Sequence, residues 1–138
     1  MQKNTLIKNT TIVTDGKSKI GDVLIADGII QEIGNIKPED HYTIIDGTNK
    51  HLLPGLIDGQ VHFRDPGLTH KGDLYTESKA AIAGGTTSFI DMPNTVPNIL
   101  TVELLEEKYT IAAEKSLANY SFFLGVNGDN IDEIAKID

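Results

Sequence analysis

Cysteine is absent from this sequence, so disulfides and thiolate metal sites are excluded, and any metal must be held by His, Asp, Glu or similar ligands. Basic runs are absent too. With a formal net charge of −8 and only 6% aromatic residues, the chain lacks the electrostatic footprint of a nucleic-acid binder or of a protein docked on an anionic membrane. No apolar run approaches membrane-spanning length, and the opening "MQKNTLIKNT" lacks the apolar core of a signal peptide. There is no internal repeat and no low-complexity tract. These absences predict a soluble cytoplasmic protein that engages neither nucleic acid nor membrane.

What is present is an ordinary globular composition: 138 residues, 39% of them apolar, enough for one domain. Residues 1–50 read as a small β unit. "TLIKNTTIVT" and "DVLIADGIIQEIG" alternate apolar and polar residues, and Asp27-Gly28 between two apolar runs predicts a two-residue hairpin, because a type I′ turn needs positive φ at both positions. "HYTIIDG" adds a short strand.

From residue 51 the rhythm becomes strand, helix, strand, helix. "HLLPGLIDGQVHF" predicts a strand, "GDLYTESKAAIAGG" a helix from about Asp73 closed by Gly84-Gly85, and "TTSFIDM" a buried strand stopped by Pro93. Thr101 is placed to cap a helix running to about Ser116, with Val102, Leu105, Tyr109 and Ala112 on one face. "NYSFFLGVN" predicts a third strand, and "GDNIDEIAKID" a helix start with Asn130 as N-cap. Strands alternating with helices imply an α/β fold with a parallel sheet. The stretch 51–138 holds about three such units, whereas a closed eight-fold barrel needs roughly 250 residues. The chain is therefore expected to be the truncated start of a larger α/β protein. Unpaired strand edges would invite association, which admits a homo-oligomer.

The candidate site lies at the strand C-terminal ends, where α/β architectures place their chemistry. In "GQVHFRDPG", strict alternation puts Gln60, His62 and Arg64 on one face and Val61 and Phe63 on the other. A lone histidine is commonly structural. Beside an amide and a guanidinium at a strand end, His62 reads better as part of a site. Arg64 presents a planar fork suited to a carboxylate, with a salt bridge to Asp65 or Asp58 as its ordinary alternative. Asn94, after Pro93, is expected near Arg64 across adjacent strand ends, and the alternative is a plain turn asparagine. Asp58 and Asp91 precede these ends and are expected to fix loops or neighbouring groups. His41, His51 and His70 read as surface or packing residues.

"LLPGLIDGQVHFRDPG" followed by "AAIAGGTTSFIDMPNTVP" resembles the N-terminal part of the dihydroorotases, cyclic amidohydrolases of the amidohydrolase superfamily. That family's usual pattern is Pro-Gly-x-Ile-Asp-x-His-x-His-x-Arg, then Met-Pro-Asn-Thr. The resemblance covers the whole chain and implies a small β-sandwich portion followed by the first three β/α units of a TIM-type barrel, incomplete here. It implies a zinc hydrolase of pyrimidine biosynthesis that interconverts dihydroorotate and N-carbamoyl-aspartate. By analogy His62 would ligate Zn²⁺, and Arg64 and Asn94 would hold the substrate carboxylate. The general acid/base aspartate and the remaining ligands would come from later strands, so this stretch alone is expected to be inactive. Gln60 stands where the family places the first histidine of its pair, and a neutral amide is a weaker zinc ligand than imidazole. Two other readings stay open: a non-catalytic dihydroorotase-like scaffold, favoured by Gln60, and an allantoinase or hydantoinase type of cyclic amidase, disfavoured by Arg64.

Overall fold

The computed structural model describes residues 4–137, and the chain divides into two compact units between Pro54 and Gly55. The first unit is one mixed sheet where the resemblance implied a sandwich portion. Its strands are β1 (Thr5–Thr14), β2 (Lys17–Ala26), β3 (Ile29–Gly34), β4 (Thr43–Asp46) and β5 (His51–Leu52). β1 is central: antiparallel to β2 on one side and parallel to β4 and β5 on the other. Asp27 and Gly28 take φ of +56° and +75°, as the hairpin requires. Asp15-Gly16, with φ of +49° and +68°, turns β1 into β2 by the same device.

The register of β1 slips between Ile7 and Thr10, and Asn9 in that bulge has φ +56°. The backbone N–H thrown out of the ladder finds a carboxylate: Asn9 N–H donates to Asp22 Oδ1 at 2.9 Å. Asp22 Oδ2 accepts from Lys8 Nζ at 2.7 Å and from Ile36 N–H at 2.9 Å. Leu6, Ile12, Val23 and Ile36 are buried in this unit. The hydrogen bond from Lys8, reinforced by the two backbone donors, lowers the Asp22 pKa to about 2 against the cost of burial.

The second unit carries the α/β rhythm. β6 (Leu56–Val61), β7 (Thr86–Asp91) and β8 (Asn119–Phe122) form a parallel sheet in that order. α1 (Leu74–Ala83) links β6 to β7, α2 (Val102–Lys115) links β7 to β8, and a short α3 (Ile131–Ile134) follows. The helix starts lie where the capping residues predicted. Asp73 and Thr76 form a reciprocal capping box on α1, and Thr101 Oγ1 accepts from Leu104 N–H on α2. Phe63, Leu74, Phe89, Ile99, Leu105, Ala112, Ala118 and Phe122 make the core between helices and sheet.

Three expectations fail for local reasons. The strand expected over 51–63 is two strands, because His51–Leu52 pairs with β1 while β6 begins at Leu56; Pro54, which has no N–H to donate, sits in the break. Strict alternation through Gln60, His62 and Arg64 also fails. The β6 register slips between Asp58 and Val61, and Arg64 lies beyond the strand at φ +68°. Asn130 makes no side-chain cap on α3. Its Nδ2 instead donates to Leu100 O at 2.7 Å and Gly125 O at 2.8 Å, tying two loops together.

Candidate active site

The bulge in β6 sets the approach to the site. Gln60 N–H turns back to Asp58 Oδ1 at 3.1 Å, and the Gln60 residue is exposed. Past the strand, Phe63 N–H donates to buried Asp91 Oδ1 at the end of β7, 3.0 Å away, while the Phe63 ring packs on Phe89 with centroids 4.4 Å apart. Phe63 is thereby anchored by both backbone and ring.

His62 and Asn94 meet directly, with Nδ1 to Oδ1 at 2.8 Å. An amide oxygen can only accept, so with this contact a neutral imidazole carries its proton on Nδ1 and its lone pair on Nε2. That tautomer suits a metal ligand oriented by a neighbouring acceptor. Asn94, expected beside Arg64 on a carboxylate, is thus engaged with His62.

Arg64 is half-buried and takes part in no ion pair among the described residues. Its ordinary alternative partners are occupied otherwise. Asp58 holds its own turn. Asp65, buried, accepts from Lys115 Nζ at 2.8 Å and from Leu74 N–H at 3.4 Å, at the first residue of α1. Asp91 carries the second lysine: Lys108 Nζ lies 2.8 Å from Oδ2, donates to Met92 O at 3.2 Å and sits 4.8 Å from the Phe122 ring centre. The Lys108–Asp91 contact is an ion pair without hydrogen-bond alignment, and both side chains are essentially inaccessible. Sequence reasoning placed Asp91 here but missed both lysines. Their spacing, i and i+7 on one helix, was the available signal, since two turns bring them to one face.

The loops carrying these groups are clasped. Val96 N–H donates to Pro66 O at 3.2 Å, and Gly67, at φ +83°, lies so close to Val96 that a Cβ there would overlap the Val96 carbonyl. Thr95 Oγ1 donates to Pro97 O at 2.8 Å and Gly125 N–H to Ile99 O at 2.7 Å. A shallow pocket of about 210 Å³ opens beside Asn94, lined by Pro93, Asn98, Leu100, Gly125 and Val126. His70 is exposed in the loop after β6, and His41 and His51 lie in the first unit.

A catalytic zinc centre takes three protein ligands. Among the described residues no three His, Asp or Glu side chains are grouped to hold a metal. His62, through Nε2, fits one position of such a site, and Gln60 offers at most a weak neutral oxygen. The remaining donors would have to come from elsewhere.

Residues 51–133 match the model of the amidohydrolase family, and the chain belongs to that family. A dihydroorotase from Carboxydothermus hydrogenoformans is 52% identical over 94 residues, covering 67% of this chain and 22% of that protein. An allantoinase from Desulfitobacterium hafniense is 35% identical over 133 residues, covering 96% of this chain and 30% of that protein. Among solved structures, the L-hydantoinase (dihydropyrimidinase) from Arthrobacter aurescens superposes with a TM-score of 0.90 at 29% identity, covering 99% of this chain and 30% of that chain. The chain thus spans less than a third of these relatives.

Proposed function

We propose that this chain is the opening part of a metal-dependent cyclic amidohydrolase whose substrate ring carries a carboxylate, as dihydroorotate does. One observation carries the reading: just past the end of β6 and two residues after His62, Arg64 takes part in no ion pair among the described residues, while Asp58 and Asp65, its near neighbours in sequence, are engaged elsewhere. An unpaired guanidinium at such a place is suited to binding a carboxylate in two hydrogen bonds. The identity of 52% with a dihydroorotase supports the choice of ring.

In this reading each residue has one task. Arg64 binds the carboxylate and fixes the ring's orientation. His62 would ligate zinc through Nε2, its Nδ1 oriented by Asn94. Bound zinc supplies a hydroxide at neutral pH and polarises the scissile carbonyl. The product is N-carbamoyl-aspartate, and the reverse direction closes the ring for pyrimidine synthesis. Zinc content and dihydroorotate hydrolysis, measured on the whole protein to which the chain belongs, test this directly. Stoichiometric zinc with no turnover would favour a non-catalytic scaffold.

The second reading is a hydantoinase or allantoinase type of activity. The L-hydantoinase likeness over 99% of the chain and the allantoinase identity favour it. A ring without a carboxylate leaves Arg64 without a task, so hydrolysis of hydantoin in preference to dihydroorotate would select this reading.

A further inference from the structure

Two lysines of α2, seven residues apart, each neutralise one of two buried aspartates that flank the anchored Phe63-Arg64 stretch. Lys115 Nζ lies 2.8 Å from Asp65 Oδ2, and Lys108 Nζ lies 2.8 Å from Asp91 Oδ2. Asp65 follows Arg64 directly in sequence, and its carboxylate is only 4% exposed. An uncompensated carboxylate on the very next residue would compete for the guanidinium, and desolvation would strengthen the attraction. Asp91 accepts the N–H of Phe63, the residue before Arg64. Neither carboxylate is paired with Arg64.

We infer that Lys115, together with Lys108, is a positioning residue that keeps Arg64 available for an external carboxylate by occupying the aspartates that would otherwise capture it. The helix packed behind the sheet thereby sets the affinity of a group at the strand ends. Lys115 is the adjustable member, since its side chain is 41% exposed, whereas Lys108 is fully enclosed. The inference rests on the reading that Arg64 binds a substrate carboxylate, and its test separates the two.

The experiment is steady-state kinetics on the whole protein with dihydroorotate, for Arg64→Ala, Lys115→Gln, Lys115→Arg and the double variant Asp65→Asn/Lys115→Gln. Lys115→Gln should raise KM roughly five- to tenfold with kcat little changed, because part of a charge-assisted contact is lost to Asp65. Lys115→Arg keeps the charge and should hold KM at the wild-type value. The double variant removes the competing carboxylate and should restore KM, which mere loss of packing would not do. An unchanged KM in Lys115→Gln, alongside a raised KM in Arg64→Ala, overturns this inference and leaves the substrate reading standing. A KM that stays high in the double variant overturns it as well. An unchanged KM in Arg64→Ala removes the substrate reading itself. If Lys115→Gln fails to fold, Asp65→Asn alone decides: the inference expects no rise in KM, and a rise contradicts it.

Discussion

At Arg64 two aspartates lie close in the chain, Asp58 and Asp65, and neither takes the guanidinium. Asp58 serves its own turn and Asp65 is held by Lys115 and the start of α1. The residue types at the site were readable because a polar row at a strand end is costly without a purpose. The lysines were not, because a lysine within an amphipathic helix normally covers a solvated face. Lys108 is instead enclosed against Asp91 and Phe122. Breaking a buried pair leaves an unpaired charge, so Lys108→Met should destabilise the protein by about 3–5 kcal/mol, read from denaturant unfolding. A loss below about 1 kcal/mol would contradict a stabilising buried pair there. Gln60→His replaces a weak neutral donor with an imidazole two residues before His62. Metal titration should then show tighter zinc binding, and an unchanged affinity would place Gln60 off the metal.

Secondary elements were legible wherever a capping residue or an apolar period fixed them. Asp73 and Thr101 started their helices as expected. The Asp15-Gly16 hairpin obeys the rule that identified Asp27-Gly28, but the polar "KSK" after it masks the second strand's apolar alternation. Asn130 satisfied every local criterion for an N-cap, and long-range hydrogen bonds to Leu100 and Gly125 took its amide instead. Bulges, as in β6, cannot be read from a sequence of plausible strand residues, because register depends on the partner strand.

Gly67→Ala places a Cβ against the Val96 carbonyl at a positive φ, and should cost about 1–3 kcal/mol of stability while loosening the loop after Arg64. A thermal midpoint equal to the parent's would show that the two loops are not clasped. In the first unit, the folded-state Asp22 pKa of about 2 lies below the ordinary aspartate value of 3.8. The stability that carboxylate contributes is therefore present above pH 4 and is lost as pH falls toward 2. The gap in melting temperature between parent and Asp22→Asn should close over that window; a gap constant with pH would show that the carboxylate charge is not involved.

For the molecule as a whole, the order of elements is what the sequence conveyed best: a β unit, then strands alternating with helices, with polar residues gathered at strand ends. Family membership follows from residues 51–133. The relatives, however, include a dihydroorotase, an allantoinase and a hydantoinase, so the common scaffold does not select the ring. Selection falls to the side chains that meet the substrate, and in the proposed reading to Arg64. The decisive measurement is the ratio of kcat/KM for dihydroorotate to that for hydantoin, in the whole protein with and without Arg64→Ala. The account predicts a ratio well above one that falls by roughly ten- to a hundredfold in the variant, the worth of a charge-assisted carboxylate contact. A ratio below one in the parent, or one that Arg64→Ala leaves unchanged, would contradict it.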